Sequence, residues 1–433
     1  MSDFVLDAAK QNGIANLEVI DRCRRFPGFC DALRMKQISL LGEEELAKMI
    51  RRSRLPMLRF LTLILAVMSL PPARAADALM FIGTYTRDGR SHGIYSLRLD
   101  LTTGVLTAPS LAAEAQNPTF LALHPDKRHL YACGELRGTV DQPQGGVGAY
   151  AIDAAAGTLT FLNQQPTGDG ATCHVAVDAT GRMAMAANYG AGYVCALPID
   201  ATGRLGERST YVELTGPLGP NQPGQDKPHA HSMAVSPDNR FAFACALGLD
   251  RIFGFSLDPA RAALVPTDPP FTATPAGVGP RHSKFSADGR FYYALNELGG
   301  SVCVFAYDST RGVLKLKQTI STLPADFHGT NTSAEIRLSR DGRFVYTSNR
   351  GPDSLAVFSR DPAAGTLTLV EIVPCGGKHP RNFALSPDGR WLICANRDTD
   401  NLVVFRVDPA TGRLTPTAHF ATIPLPVCVL FVD

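Results

Sequence analysis

The chain has 433 residues, of which 45% are hydrophobic and 19% charged, and its formal net charge is +2. So balanced a charge gives no footing for a nucleic-acid or membrane-surface partner, and the apolar content suits a globular core. The 10 cysteines include no Cys-x-x-Cys pair and no Cys/His metal spacing, so no metal site or resident cofactor is expected.

In chain order, the first feature is an apolar run, Phe60 to Leu70. It is preceded by Arg51, Arg52, Arg54 and Arg59 and followed by Pro71-Pro-Ala-Arg-Ala75. A basic region, an apolar core too short to span a bilayer and a small-x-small boundary form a secretory signal. Residues 49–75 are therefore read as a signal peptide cleaved after Ala75, which places the mature protein in the periplasm or outside the cell. A signal begins a chain, so residues 1–48 are read as a non-native extension, with initiation at Met49 or Met57. The competing reading is a cytosolic protein whose apolar stretch is a buried helix. Export implies an oxidising compartment, yet Cys133, Cys245 and Cys394 fall near strand ends, where they read as small buried hydrophobes. Mostly free thiols are expected, with one disulfide not excluded.

Residues 77–433 carry two interleaved repeats. FIGTYT (81–86) is a strand without its preceding partner. Turns of Asp-x-x-x-Gly-x-Leu type follow at Asp100, Asp153, Asp200, Asp258, Asp308, Asp361 and Asp408, a period near 50 residues. The Asp supplies an acceptor for the turn and the Gly tolerates positive φ, as a tight hairpin requires. Between these lie six strand–turn–strand units: LALHPDKRHLYA, VAVDATGRMAMA, MAVSPDNRFAFA, KFSADGRFYYA, IRLSRDGRFVYT and FALSPDGRWLICA. Each period thus holds an A–B hairpin and a C–D hairpin. PVCVLFVD (426–433) supplies the A strand that FIGTYT lacks. The expected fold is all-β, a seven-bladed propeller closed by pairing the C-terminal strand with the N-terminal blade. Asp341 and Arg343, in an Asp-Gly-Arg turn, are expected to be structural.

In such a ring the starts of A and the ends of B share one mouth of the central channel. The starts of A offer His174, His229, His231, Arg281, His282, Glu335, Arg337, Arg381 and Asn382. The ends of B offer Glu135, Asn188-Tyr189, Asn296-Glu297, Asn349-Arg350 and Asn396-Arg397. A cationic, histidine-containing concavity suits a small anionic ligand, because Arg presents a rigid fork to carboxylate or phosphate. The plainer possibility is that these Asn side chains cap turns and the Arg side chains pair with neighbouring Glu.

Three segments, PHAHSMAVSPDNRFAFACALGLDRIFGFSLD, GVGPRHSKFSADGRFYYALNELGGSVCVFAYD and SAEIRLSRDGRFVYTSNRGPDSLAVFSRD, closely resemble the propeller-type 6-phosphogluconolactonase family. That family includes the fungal 3-carboxy-cis,cis-muconate lactonizing enzymes. The resemblance covers roughly 79–433 and implies a lactone hydrolase, 6-phosphogluconolactonase-like. The muconate branch implies a His, two Arg and a Glu at the mouth. By motif these fall on His231 (or His229) in PHAH, Arg281 in GPRH, Glu297 in NEL and Arg337 in SAEIR, with Arg350 as a rival to the last. Hydrolysis requires a base to activate water, a positive group for the carbonyl oxygen and an anchor for the substrate's anion. His231 or Glu297 suits the first role, Arg281 the second, and Arg337 with Arg381 the third. His174, His229, His282, Glu335, Arg350 and Asn382 complete the expected substrate-binding set. No Gly-x-Ser-x-Gly elbow is present, which argues against an acyl-enzyme. The expected partner is a small-molecule lactone met by a monomer. The alternatives are a lactonizing cycloisomerase, a binding propeller without turnover, and a calcium-dependent lactonase using Asn188, Asn296 and Asn349.

Overall fold

The structure, a computed structural model, describes residues 77–136, 144–169 and 171–432. The proposed extension and signal peptide, 1–48 and 49–75, lie outside the described residues. From Asp77 onward the chain forms seven antiparallel sheets of four strands each. Blades 1 to 6 begin with A strands Gln116–Leu123, Thr172–Val177, Ala230–Val235, Pro280–Phe285, Ser333–Leu338 and Pro380–Leu385. Blade 7 takes Pro426–Phe431 as A and Asp77–Thr84 as B, paired antiparallel with Met80 opposite Phe431 and Ile82 opposite Val429. The expected closure of the ring is therefore present.

The repeated turns explain why the strands end where they do. In the turn at Asp408 the carboxylate accepts the N–H groups of Ala410 (2.8 Å) and Thr411 (3.1 Å), and Gly412 N–H donates back to the Asp408 carbonyl (2.8 Å) with φ at 73°. The turns at Asp100, Asp153, Asp308 and Asp361 repeat this pattern. In the A–B turn of blade 5, Arg343 pairs with Asp341 (2.7 Å) and its guanidinium reaches the Pro409 carbonyl of the next blade. These turn residues serve the fold, as expected.

The core lies between blades. Along the strand Asp77–Thr84, Leu79 and Phe81 pack with Phe120 and Leu121 of blade 1, whereas Met80 and Ile82 pack with Ile393 and Val404 of blade 6. Both faces of this strand are covered, so its sequence is an unbroken apolar run rather than an alternation. All eight cysteines of the described region are free thiols, and seven of them are buried.

Candidate active site

One local device shapes the mouth. Near the start of the A strand in blades 2, 3, 4 and 6, the register with strand B skips one residue: Cys173, His231, Arg281 and Arg381 respectively. A β-bulge of this kind turns its extra side chain out of the normal alternation, which is why bulges gather beside active sites. Cys173, His231 and Arg381 line a cavity of about 330 Å³ at the mouth. The opposite wall comes from residues just past the end of strand B: Tyr85, Tyr189, Glu297 and Arg350.

Glu297 is the hub of this wall. Its Oε1 lies 2.9 Å from Arg350 Nη2 and its Oε2 lies 2.7 Å from Arg281 Nε, the second an ion pair without hydrogen-bond alignment. His231 Nε2 is 3.8 Å from the same Oε2. Burial alone would raise the Glu297 pKa, but Arg350, then Arg281 and Arg381, outweigh it and leave the carboxyl below its ordinary range. Desolvation, reinforced by Arg281, His282 and Arg381, holds His231 well below the usual imidazole value, so it is neutral. Burial pushes the neighbouring Cys173 thiol up to about 12, so it is no thiolate nucleophile.

The arginines differ in how firmly they are held. Arg350 donates through Nε to the Thr332 carbonyl (2.8 Å) and through Nη2 to the Ser333 carbonyl (3.3 Å) as well as to Glu297. Arg281 is only 2% exposed; it donates to the Ala334 carbonyl and stands behind Glu297 rather than facing the cavity. Arg381 lies over the Tyr85 ring at 5.5 Å and has no hydrogen bond or ion pair among the described residues.

Several expected site residues fall outside this cavity. His229 stacks on Tyr189 (4.0 Å between centroids), reaches the Tyr189 carbonyl with Nδ1 (2.8 Å) and lies against Asp226 with Nε2 (2.7 Å). It therefore braces the rim while His231 faces inward. His174, His282, Glu335 and Asn382 form a layer one step deeper. There His282 Nδ1 lies 3.2 Å from Glu335 Oε2, Asn382 donates to the same oxygen, and His174 stacks on Phe120 at 4.1 Å. Arg337 is deeper again, 3.6 Å from Glu335 Oε1, and lines the opening on the opposite face. The reason is local: in SAEIR the residue at the bulge is Ala334, so the Arg arrives three residues too late for the mouth. Cys173, Asn117 and Thr119, at register breaks that nothing in the sequence marks, and Tyr85 and Arg87, just past strand B of blade 7, also line the cavity and were missed.

Asn188, Asn296 and Asn349 are committed to hairpins. Their amides donate to Tyr193 Oη (2.8 Å), Ser301 Oγ (3.0 Å) and the Thr322 carbonyl (2.7 Å), the bonds expected of capping groups. Among the described residues one group of metal-type donors converges, His124, Asp126 and His129, on a turn far from the mouth. There His124 Nδ1 accepts the Asp126 N–H (3.1 Å) and His129 Nδ1 lies 2.8 Å from Asp126, so these groups close the turn.

Residues 79–431 match the family described as "Lactonase, 7-bladed beta-propeller". The chain is 37% identical to the 6-phosphogluconolactonase of Bacillus subtilis over 81% of its own length and 97% of the relative. It superposes on the periplasmic gluconolactonase PpgL of Pseudomonas aeruginosa with a TM-score of 0.78 and 36% identity, covering 83% of this chain and 99% of that one. A Bacteroides fragilis protein described as a putative 6-phosphogluconolactonase gives 0.77 and 35% over 84% and 100%. A closed seven-bladed ring with an Arg/His/Glu mouth and these relatives defines a lactone hydrolase. The chain belongs to the lactonase family of seven-bladed β-propellers.

Proposed function

We propose that the chain hydrolyses a sugar lactone bearing an anionic substituent, phosphate or carboxylate, by direct attack of water at this mouth. The observation that carries the reading is Arg381, a cation in the cavity wall with no ion pair among the described residues. In this scheme Arg381 anchors the substrate's anion, and the firmly held Arg350 stabilises the negative charge that develops on the carbonyl oxygen. Neutral His231 takes the proton from water as its oxygen bonds to the carbonyl carbon, then returns it to the ring oxygen as the C–O bond breaks, giving the hydroxy acid. Glu297, kept ionised by Arg350 and Arg281, orients both arginines and balances the imidazolium. Arg281 acts through Glu297 instead of touching the carbonyl oxygen.

Kinetics on 6-phosphogluconolactone and unphosphorylated gluconolactone test the anchor. Arg381→Ala should raise KM on the phosphorylated lactone about 10-fold or more, the worth of one charged hydrogen bond, with little change in kcat. Equal losses on both lactones would remove Arg381 from that role. Export over residues 49–75 belongs to the same proposal and is supported by the periplasmic relative. N-terminal sequencing of protein recovered from a Gram-negative host should read Ala76 first; intact residues 1–75 in cytoplasmic protein would overturn it.

A further inference from the structure

The channel has a second end. Two positions beyond the layer of His282 and Glu335 lie Lys284, opposite Tyr293, and Arg337, opposite Tyr346, in adjacent blades. At the same register the other five blades supply only alanine or leucine. Five of the seven positions at this level are therefore apolar, and the two cations are its only charged side chains. The face opposite the mouth holds a cavity of about 510 Å³, lined by Arg337, Lys127 and Arg340 and by no acidic side chain; Lys284 does not line it but shares the register level of Arg337 in the adjacent blade.

The nearest carboxylate, Glu335, is one negative charge beside two cations and so offsets only part of this charge. Glu335 accepts the Ile336 N–H (3.0 Å) and the Asn382 amide and lies 3.2 Å from His282, so its oxygens are already engaged. Arg337 Nε stands 3.6 Å away, too far for a hydrogen bond, and is buried without a partner. Lys284 is half-buried in the channel wall, with neither a hydrogen bond nor an ion pair among the described residues. Desolvation and the neighbouring Arg337 outweigh Glu335 and push its pKa down to about 8.

We propose that this end of the channel is a second anion-binding site, holding a small oxyanion of phosphate or carboxylate type between the Lys284 ammonium and the Arg337 guanidinium. It is separate from the mouth, and the layer of His174, His282, Glu335 and Asn382 lies between them. Two donors of opposite habit, a fork and a point charge, suit a tetrahedral or planar oxyanion entering from the open face.

Calorimetric titration with inorganic phosphate, and in parallel with acetate, into the Arg381→Ala protein tests the site with the mouth's anchor removed. One binding event should remain, and the tighter of the two ions identifies the oxyanion class. Lys284→Met in the same background should weaken it at least tenfold. In anion-free buffer Lys284→Met should unfold no earlier than its parent, because it removes a repulsion between two cations; a Lys retained only for folding would behave in the opposite way. Should Lys284→Met fail to fold, Lys284→Arg must retain binding and Arg337→Gln must lose it. Absence of binding to the Arg381→Ala protein, or binding indifferent to these substitutions, overturns the proposal.

Discussion

At the scale of single residues, the mouth owes its chemistry to burial acting on groups of like sign. His231 sits beside Arg281, His282 and Arg381, with Glu297 as the only carboxylate within 4 Å of its ring among the described residues, so protonating it is costly. Its base form therefore persists below the ordinary imidazole pKa of about 6.5. If His231 is the base, kcat/KM should stay flat as the pH falls through 6.5 and decline only at lower pH; an acid limb at or above 6.5 would place the base elsewhere. The placement of His231 and Glu297 at the mouth was legible in sequence, because PHAH and NEL carry them at fixed offsets from strand ends. Arg337 lies too far along its A strand to reach the mouth, because the bulge there falls at Ala334, and its rival Arg350 lines the mouth instead.

At the scale of elements, the hairpin turns explain both the repeat and its tolerance. Six of the seven turns place Gly at the left-handed position; the turn at Asp258 places Ala262 there instead, with φ at 48°. What each glycine guards differs. A Cβ on Gly412 would lie 2.4 Å from the Phe344 ring, whereas one on Gly389, whose φ is also 73°, would meet nothing within 4 Å. Gly389→Ala should cost the conformational term alone, about 1–3 kcal/mol, and Gly412→Ala distinctly more, because Phe344 must move out of the blade 6 interface. Thermal and urea unfolding of the two variants compares them, and equal losses would show that the ring contact yields freely. The Asp and Gly that fix these turns are visible in sequence. The bulge is not, because it is set by how seven A strands crowd one axis.

At the scale of the molecule, stability rests on a ring in which every blade has its four strands, blade 7 completed by the two ends of the propeller. Val427 and Val429 are about 2% exposed or less, and Pro426–Phe431 pairs along most of Asp77–Thr84. Deleting residues 426–433 bares the edge of Asp77–Thr84 and exposes several buried side chains, each worth about 1.5–3 kcal/mol, against a typical total of about 5–15. Insoluble protein or a large fall in Tm is expected, and unchanged unfolding would refute the role of that strand. Blade number and closure were readable because a ring repeats one solution seven times, each copy testing the last. The second opening was not readable, since it depends on which side chains share a level of the channel.

The seam in blade 7 also sets an order in time. Its inner strand, Pro426–Phe431, leaves the ribosome last, while the strand it must cover, Asp77–Thr84, is among the first segments of the propeller to emerge. Until synthesis reaches that last strand, the earliest hairpin waits with a bare edge and the circle stays broken. That interval makes the nascent protein most dependent on chaperones, while the inner strand of blade 7 is still missing.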